Sequence, residues 1–515
     1  MTGGINWTAL VVFVVLFALV TWIGFIAAHW RKGDLDLLHE WGLGGRRFGT
    51  LITWFLVGGD LYTAYTFVAV PALLFGAGAL GFFAVPYTIM IYPLLYVAFP
   101  RLWSLAHRRG YVTSADFVTG RFGNRWLGLA VSFTGILATM PYIALQLVGM
   151  QVVIGAMGLE SGGLLGDLPL IIAFIILAAF TYTSGLRAPA MIAVVKDVLI
   201  YVTVLAAIIA VPIHIGGYDK MFAAIPPAKL LLATPPAGSY GAFSAYGSLA
   251  LGSALALFLY PHSITGILSS SSARVIRRNA VMLPAYSVML GFLALVGFMA
   301  IAIGVGGMPD FADGFKRYGA NFSVPALFLA LFPSWFVGIA FAAIAIGALV
   351  PAAIMSIATA NTFTRNIYRA FLNPACTDAQ ESQVAKIVSL VVKAGALVFI
   401  FALPLQFALY LQLLGGVWII QTAPSVLLAM YARFLNGWAL LIGWIVGFGL
   451  GTWMVVLNNW TPVWPLHLGS VTFPCYIAIL SVIVNVLVSA VLSPLFNMGA
   501  SGRPQDADAF EEDYA

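Results

Sequence analysis

Charge is the scarcest property of this chain: Asp, Glu, Lys and Arg together make up 8% of its 515 residues. So few ionisable groups cannot solvate a globular surface. With 62% hydrophobic residues and a mean hydropathy of +1.00, an ordinary soluble protein is excluded. Two cysteines, Cys376 in a polar loop and Cys475 in a late apolar segment, give neither a disulfide framework nor a metal site. HExxH, GxSxG, GxxxxGKS/T and paired-cysteine motifs are also missing, so no hydrolase or nucleotide-binding enzyme is expected, and no cofactor beyond a coupling ion. The net charge of +6 does not point to nucleic acid, because membrane proteins gather Lys and Arg on their inner loops.

What the chain does have is a series of long apolar runs. At ~20 residues per span they predict an all-α polytopic membrane protein of about thirteen transmembrane helices. These are expected near 6–29, 48–76, 80–100, 126–157, 168–184, 190–215, 241–265, 280–306, 326–360, 384–403, 405–432, 437–457 and 471–493. The ninth run exceeds one crossing, so Val324 to Pro333 is expected as a short outer helix before the span proper. The first run has no basic residue before it and Arg31 and Lys32 after it, which predicts a retained helix with its N-terminus outside. The C-terminus then lies inside. Of the 24 Lys and Arg residues, Lys220, Lys229, Lys316 and Arg317 fall on expected outer segments, Lys196 and Lys393 fall within spans, and all others fall on inner segments. The tail from Ser501 to Ala515 is acidic and too short for a domain, which argues against a fused signalling module.

The second run carries the strongest functional signal. Val57-Gly58-Gly59-Asp60-Leu61-Tyr62 interrupts it near the middle. A carboxylate there is costly unless it faces protein or water, and a glycine pair weakens the helix and frees backbone carbonyls. Secondary transporters bind ions and substrates at such broken helices. Gly58, Gly59 and Asp60 are therefore candidates for cation coupling, with Lys196 and Asp197 of the sixth span beside them. The structural alternatives are close packing for the glycines and snorkelling near the inner face for Lys196. His262 and Lys393 are the other ionisable groups within spans; a helix-end hydrogen bonder and a structural partner to a carbonyl or to Asp60 are their plainer readings. Scattered charges in a helical bundle suit a transporter better than a channel.

Five segments carry a resemblance to a known family: Tyr111 to Gly123 (YVTSADFVTGRFG), Pro141 to Leu147, Gly185 to Ala188, Tyr260-Pro261-His262 and Thr364 to Arg369. In this order they resemble the sodium:solute symporter family over nearly the whole chain. Gly58 to Tyr62 and Gly347 to Ala353 are similar to its bacterial monocarboxylate permease branch. The resemblance implies a core of two inverted five-helix repeats, here 47–433, that rocks to expose a central site alternately to each side. It leaves 1–46 as the first helix and inner loop, 434–500 as two peripheral helices and 501–515 as a disordered cytoplasmic tail. It also implies a bacterial-type inner membrane, short acids such as lactate and pyruvate as substrates, and a coupling cation. No nucleic-acid or obligatory protein partner is expected. An anionic substrate needs donors, for which the broken ends of the second and seventh helices offer backbone N–H groups, and Tyr62, Tyr65, Thr66, Gln146, Trp418 and Gln421 are candidates to line the pocket.

The chain departs from the family in the ninth helix. Sodium-using members place two adjacent hydroxyl residues there, opposite carbonyls of the broken second helix. Without gaps this chain has Val350 and Pro351 in those places; a shifted register recovers Ser356 but leaves Ile357 beside it. These apolar side chains supply no oxygen for a hard cation. Asp60 is then expected either to carry a proton, the favoured reading, or to hold sodium near Val57 and Ser356. The rival functions are a sodium-driven amino-acid symporter of the proline or alanine type and, from another class, a membrane substrate sensor.

Overall fold

The structure, a computed structural model, describes residues 4–30, 33–59, 61–159, 168–402 and 408–499, with the backbone alone at 399–402, 408–409 and 411. Asp60, Arg31, Lys32 and the tail from Ser501 to Ala515 lie outside the described residues. Among the described residues the regular structure is helical except for one two-stranded hairpin. Nine helices among the described residues are long and apolar enough to cross a bilayer, and a bent pair, Gly241–Leu257 and Pro261–Leu268, makes ten. Leu168–Ser184 and Asp378–Ala402 stand at two other expected positions and Tyr92–Arg109 overlaps a third; the first is short, and the other two carry more charge than a plain span.

Burial separates hub from periphery. Ser334–Phe363 is built largely of Ala, Ile and Gly, and its small side chains let five helices close on it: Trp7–Ile26, Arg125–Ala156, Arg187–Ile215, Pro261–Leu268 and Asp378–Ala402. The apolar stretch that begins at Ser334 is 94% buried, against 28% for Trp7–His29 and for Ile477–Phe496, whose large side chains face outward where lipid would be. Gly437–Leu457 and Ile477–Phe496 pack on each other at the edge.

Two expected boundaries are corrected. The third helix runs over Tyr92–Arg109, not 80–100. Before it, the chain turns at Gly78, whose φ of +67 places its absent side chain against the Lys229 backbone, and then makes a 3-10 stretch, Gly78–Ala84, and a short helix, Pro86–Met90. The last helix begins at Ile477, not 471. Val471–Tyr476 is instead a strand paired antiparallel with Val463–Leu468 around Gly469 at φ +61. The Ser239 loop completes its edge, since Thr472 N–H donates to Gly238 O at 2.8 Å.

The segments around Thr113, Asn366 and Arg187 interlock with their neighbours. Thr113 and Asp116 form a capping box that starts the helix Ser114–Phe122. From Thr364–Leu372, Asn366 reaches both of them: it accepts from Thr113 Oγ1 at 2.7 Å and donates to Asp116 Oδ1 at 2.6 Å. At Gly185, φ is +56 and the chain turns into Arg187–Ile215, where the buried Arg187 guanidinium pairs with Glu40 and donates to its carbonyl at 2.8 Å.

Candidate functional site

The site begins at the break in the second helix. Thr50–Thr53 passes into a π-helical turn, Trp54–Gly58; helix resumes as a second π-helical stretch, Tyr65–Ala69, and continues through Val70–Ala77. The glycines are needed for close approach. A methyl group at Gly58 would stand 2.9 Å from Leu283 Cδ2, and one at Gly59 would stand 2.7 Å from Lys196 Nζ. The resumed half is capped from within: Thr63 N–H donates to Thr66 Oγ1 at 2.9 Å, Ala64 N–H to Gln146 Oε1 at 2.9 Å, and Tyr65 N–H to Thr63 Oγ1 at 3.0 Å. These N–H groups are therefore not bare donors for a substrate carboxylate, contrary to the expectation from sequence. Three side chains of the protein already hold them.

The carbonyls on the other side of the break meet a cation. Lys196 and Asp197, consecutive on Arg187–Ile215, are both fully buried. Lys196 Nζ donates to Gly59 O and, at 3.4 Å, to Tyr62 O, and lies 3.2 Å from Asp197 Oδ1. Asp197 Oδ2 accepts from Tyr286 Oη at 2.5 Å, and Tyr286 O accepts from Tyr62 Oη at 2.5 Å. The contacts close a ring through Tyr62, Tyr286, Asp197 and Lys196 across three helices. Trp54 and Tyr201 pack edge-on against Tyr286, with centroids 4.9 and 5.9 Å away. A buried ion pair is tolerable only when its charges find further hydrogen bonds; here Lys196 finds two carbonyls and Asp197 Oδ2 the Tyr286 hydroxyl, while Asp197 Oδ1 has the ammonium alone beside it.

The sequence profile described as "Sodium:solute symporter family" matches residues 41–447. The chain belongs to the sodium:solute symporter family. The "Monocarboxylate transport permease protein" of Rhizobium johnstonii is 52% identical over 511 residues, covering 98% of this chain and 100% of that one. The "Uncharacterized symporter YodF" of Bacillus subtilis is 31% identical over 501 residues, 97% of this chain and 96% of that one. Among solved structures, a Na+-coupled sialic acid symporter in its substrate-bound outward-open state superposes with a TM-score of 0.78 at 15% identity, over 98% of this chain and 99% of that one. The chain thus shares the fold of that symporter. It is a multi-pass membrane protein that moves a solute and is not an enzyme; its relatives are bacterial, and a helical bundle of this kind belongs to an inner membrane.

The remaining candidates divide by position in this symporter. Tyr62, Tyr65, Thr66 and Gln146 gather at the break with Gly58, Gly59, Lys196 and Asp197. Tyr65 is fully buried, and its hydroxyl has no partner among the described residues. Trp418 and Gln421 do not join them, which corrects their place in the pocket. Trp418 Nε1 donates to Thr452 Oγ1 at 3.1 Å and Gln421 Nε2 to Ser481 Oγ at 2.8 Å, so both face the two edge helices. Helix Ala408–Ile419 is apolar apart from Gln412, and hydropathy could not tell its faces apart.

In the ninth helix, Val350 and Pro351 are buried and their side chains bring no oxygen, and the Ser356 hydroxyl donates into its own helix, to Ala353 O at 2.8 Å. Val57 packs against Gly266 of the second broken helix, 3.3 Å from where a side chain there would begin. His262 lies between the rings of Tyr142 and Tyr260, with centroids 5.4 and 5.2 Å away. Lys393 is buried, and its ammonium meets only Ser389 O and Oγ, both at 3.4 Å, among the described residues.

Tyr286 is the residue that the sequence did not single out. It stands mid-span in an otherwise apolar run, and the one available signal was chemical: a buried Asp197 needs a donor besides its neighbour Lys196.

Proposed function

We propose that this symporter imports short monocarboxylates, lactate and pyruvate among them, and that protons drive the import. The substrate half rests on one observation, the 52% identity that runs end to end with a protein named a monocarboxylate transport permease. The coupling half is supported by the ninth helix, where the side chains of Val350, Pro351 and Ile357 bring no oxygen ligands, and by the ammonium of Lys196 lying on carbonyls of the broken helix. Asp60, Lys196 and Asp197 are the groups from which the proton carrier is drawn. In this reading the substrate carboxylate sits beside the break, with the free Tyr65 hydroxyl as one donor and Tyr62 and Thr66 as neighbours.

The substrate assignment is tested by counterflow. Proteoliposomes preloaded with unlabelled lactate, pyruvate, proline or alanine are diluted into labelled lactate. Lactate and pyruvate are expected to drive label inward and proline and alanine are not; the reverse pattern would return the protein to the amino-acid symporters of its family.

A further inference from the structure

The ring around Lys196 places a fixed positive charge where a mobile cation would need to bind. The carbonyls of Gly59 and Tyr62, three residues apart, are released because the helix breaks between them and the resumed stretch at Tyr65. Oxygens left free in this way, beside a carboxylate, are what a small monovalent cation seeks. Here the Lys196 ammonium takes both oxygens and the adjacent Asp197 carboxylate as well. The absence of a side chain at Gly59 is what admits the ammonium.

We propose that Lys196 is the proton-carrying group of this symporter, its ammonium serving as a tethered coupling cation on the broken second helix. This inference rests on the symport reading above and names the residue that performs it. In the loaded state the ammonium holds the break closed through Gly59 O and Tyr62 O. When the second helix shifts and withdraws those oxygens, an N–H bond of Nζ breaks, the proton passes to a water on the cell side, and hydronium leaves with the substrate. The neutral amine takes a proton from hydronium on the outer side after the carrier returns. Asp197 lies beside Nζ, is itself fixed by the Tyr286 hydroxyl, and so acts as the positioning residue for Lys196.

The groups that face Lys196 bear on this cycle. From its own helix come Asp197 and Tyr201; from the second helix come Tyr62 and the two carbonyls; from Ala273–Ile303 comes Tyr286. No other cation is among these described neighbours. The loaded carrier, holding ammonium, carboxylate and a monocarboxylate, has the same net charge as the returning carrier with amine and carboxylate. One proton per substrate is therefore moved without net charge.

The test uses the purified full chain in proteoliposomes with a pH dye trapped inside, comparing wild type, Lys196→Gln, Lys196→Arg and Asp60→Asn. Wild type is expected to acidify the lumen as lactate enters. Lys196→Gln is expected to keep lactate exchange at a reduced rate, with at least a tenfold loss of lactate-linked acidification. Lys196→Arg, which keeps the cation and the ion pair but never releases its proton, covers the case in which the glutamine variant does not fold; it is expected to lose acidification as well. Acidification by either Lys196 variant at the wild-type rate would overturn the proposal, most directly if Asp60→Asn alone abolished it. Wild-type uptake driven by sodium with no proton movement would also overturn it, together with the proton-coupling half of the reading above, while leaving the monocarboxylate half intact. A wild type that neither takes up nor exchanges lactate would instead remove the substrate reading.

Discussion

Tyr286 Oη donates to Asp197 Oδ2 at 2.5 Å, and this bond ties Ala273–Ile303 to the helix that carries Lys196. Its removal by Tyr286→Phe leaves a buried carboxylate short of a donor. A hydrogen bond to a charged group is worth about 1.5–3 kcal/mol, so a lower melting temperature in detergent and slower lactate uptake are expected. Unchanged melting would mean that Asp197 finds its donor elsewhere. Asp197→Asn goes further, stripping Lys196 of its counter-ion, and is expected to cost about 3–5 kcal/mol.

Gly59 and Gly247 make a matched pair of tests. Alanine at Gly59 would put a methyl group into the Lys196 ammonium, whereas alanine at Gly247 meets nothing within 4 Å. Gly59→Ala is expected to abolish uphill uptake. Gly247→Ala is expected to preserve it and to gain up to about 1 kcal/mol of helix stability. Equal uptake by the two variants would contradict the close approach at the break.

Glu40 and Arg187 tie the loop before the second helix to the start of Arg187–Ile215. Arg187 is buried, binds the Glu40 carboxylate and carbonyl, and Arg47 adds a second contact to that carboxylate at 3.0 Å. Glu40→Gln breaks a buried pair and is expected to destabilise the protein by about 3–5 kcal/mol. Arg187→Lys is expected to rescue little, because a point charge cannot reach both oxygens with one fork. The check is thermal unfolding in detergent, and near-wild-type melting of Arg187→Lys would contradict the geometry.

Lys393 gives the opposite expectation. Its charge is buried with only Ser389 of its own helix as an acceptor among the described residues. Lys393→Met removes that buried charge and is expected to retain proton-driven uptake and to melt at or above the wild-type temperature. Loss of uptake would add Lys393 to the coupling machinery.

Much of this was legible in the residues. Apolar runs located the helices, because hydropathy directly measures fitness for lipid, and Gly58-Gly59 marked the break, because a helix weakens where glycines gather. The third and last helices were misplaced for one reason. Residues 80–90 and 471–476 are as apolar as a span, while what sets their shape, the turn at Gly78 and the hairpin at Gly469, is backbone geometry that hydropathy does not record. The ring was half legible: Lys196 and Asp197 were conspicuous as charges, but their partners Tyr62 and Tyr286 lie on other helices, and one sequence carries no register between helices. The same limit misdirected Trp418 and Gln421, whose residue types suit a pocket but whose helix presents them to the edge pair.

The most direct test of proton-driven monocarboxylate symport is labelled lactate uptake into proteoliposomes in sodium-free buffer, with the lumen alkaline and the outside acidic. Accumulation above equilibrium that collapses when a protonophore is added is expected. Uptake that stays at equilibrium under the proton gradient, and rises above it only when a sodium gradient is imposed, would contradict it.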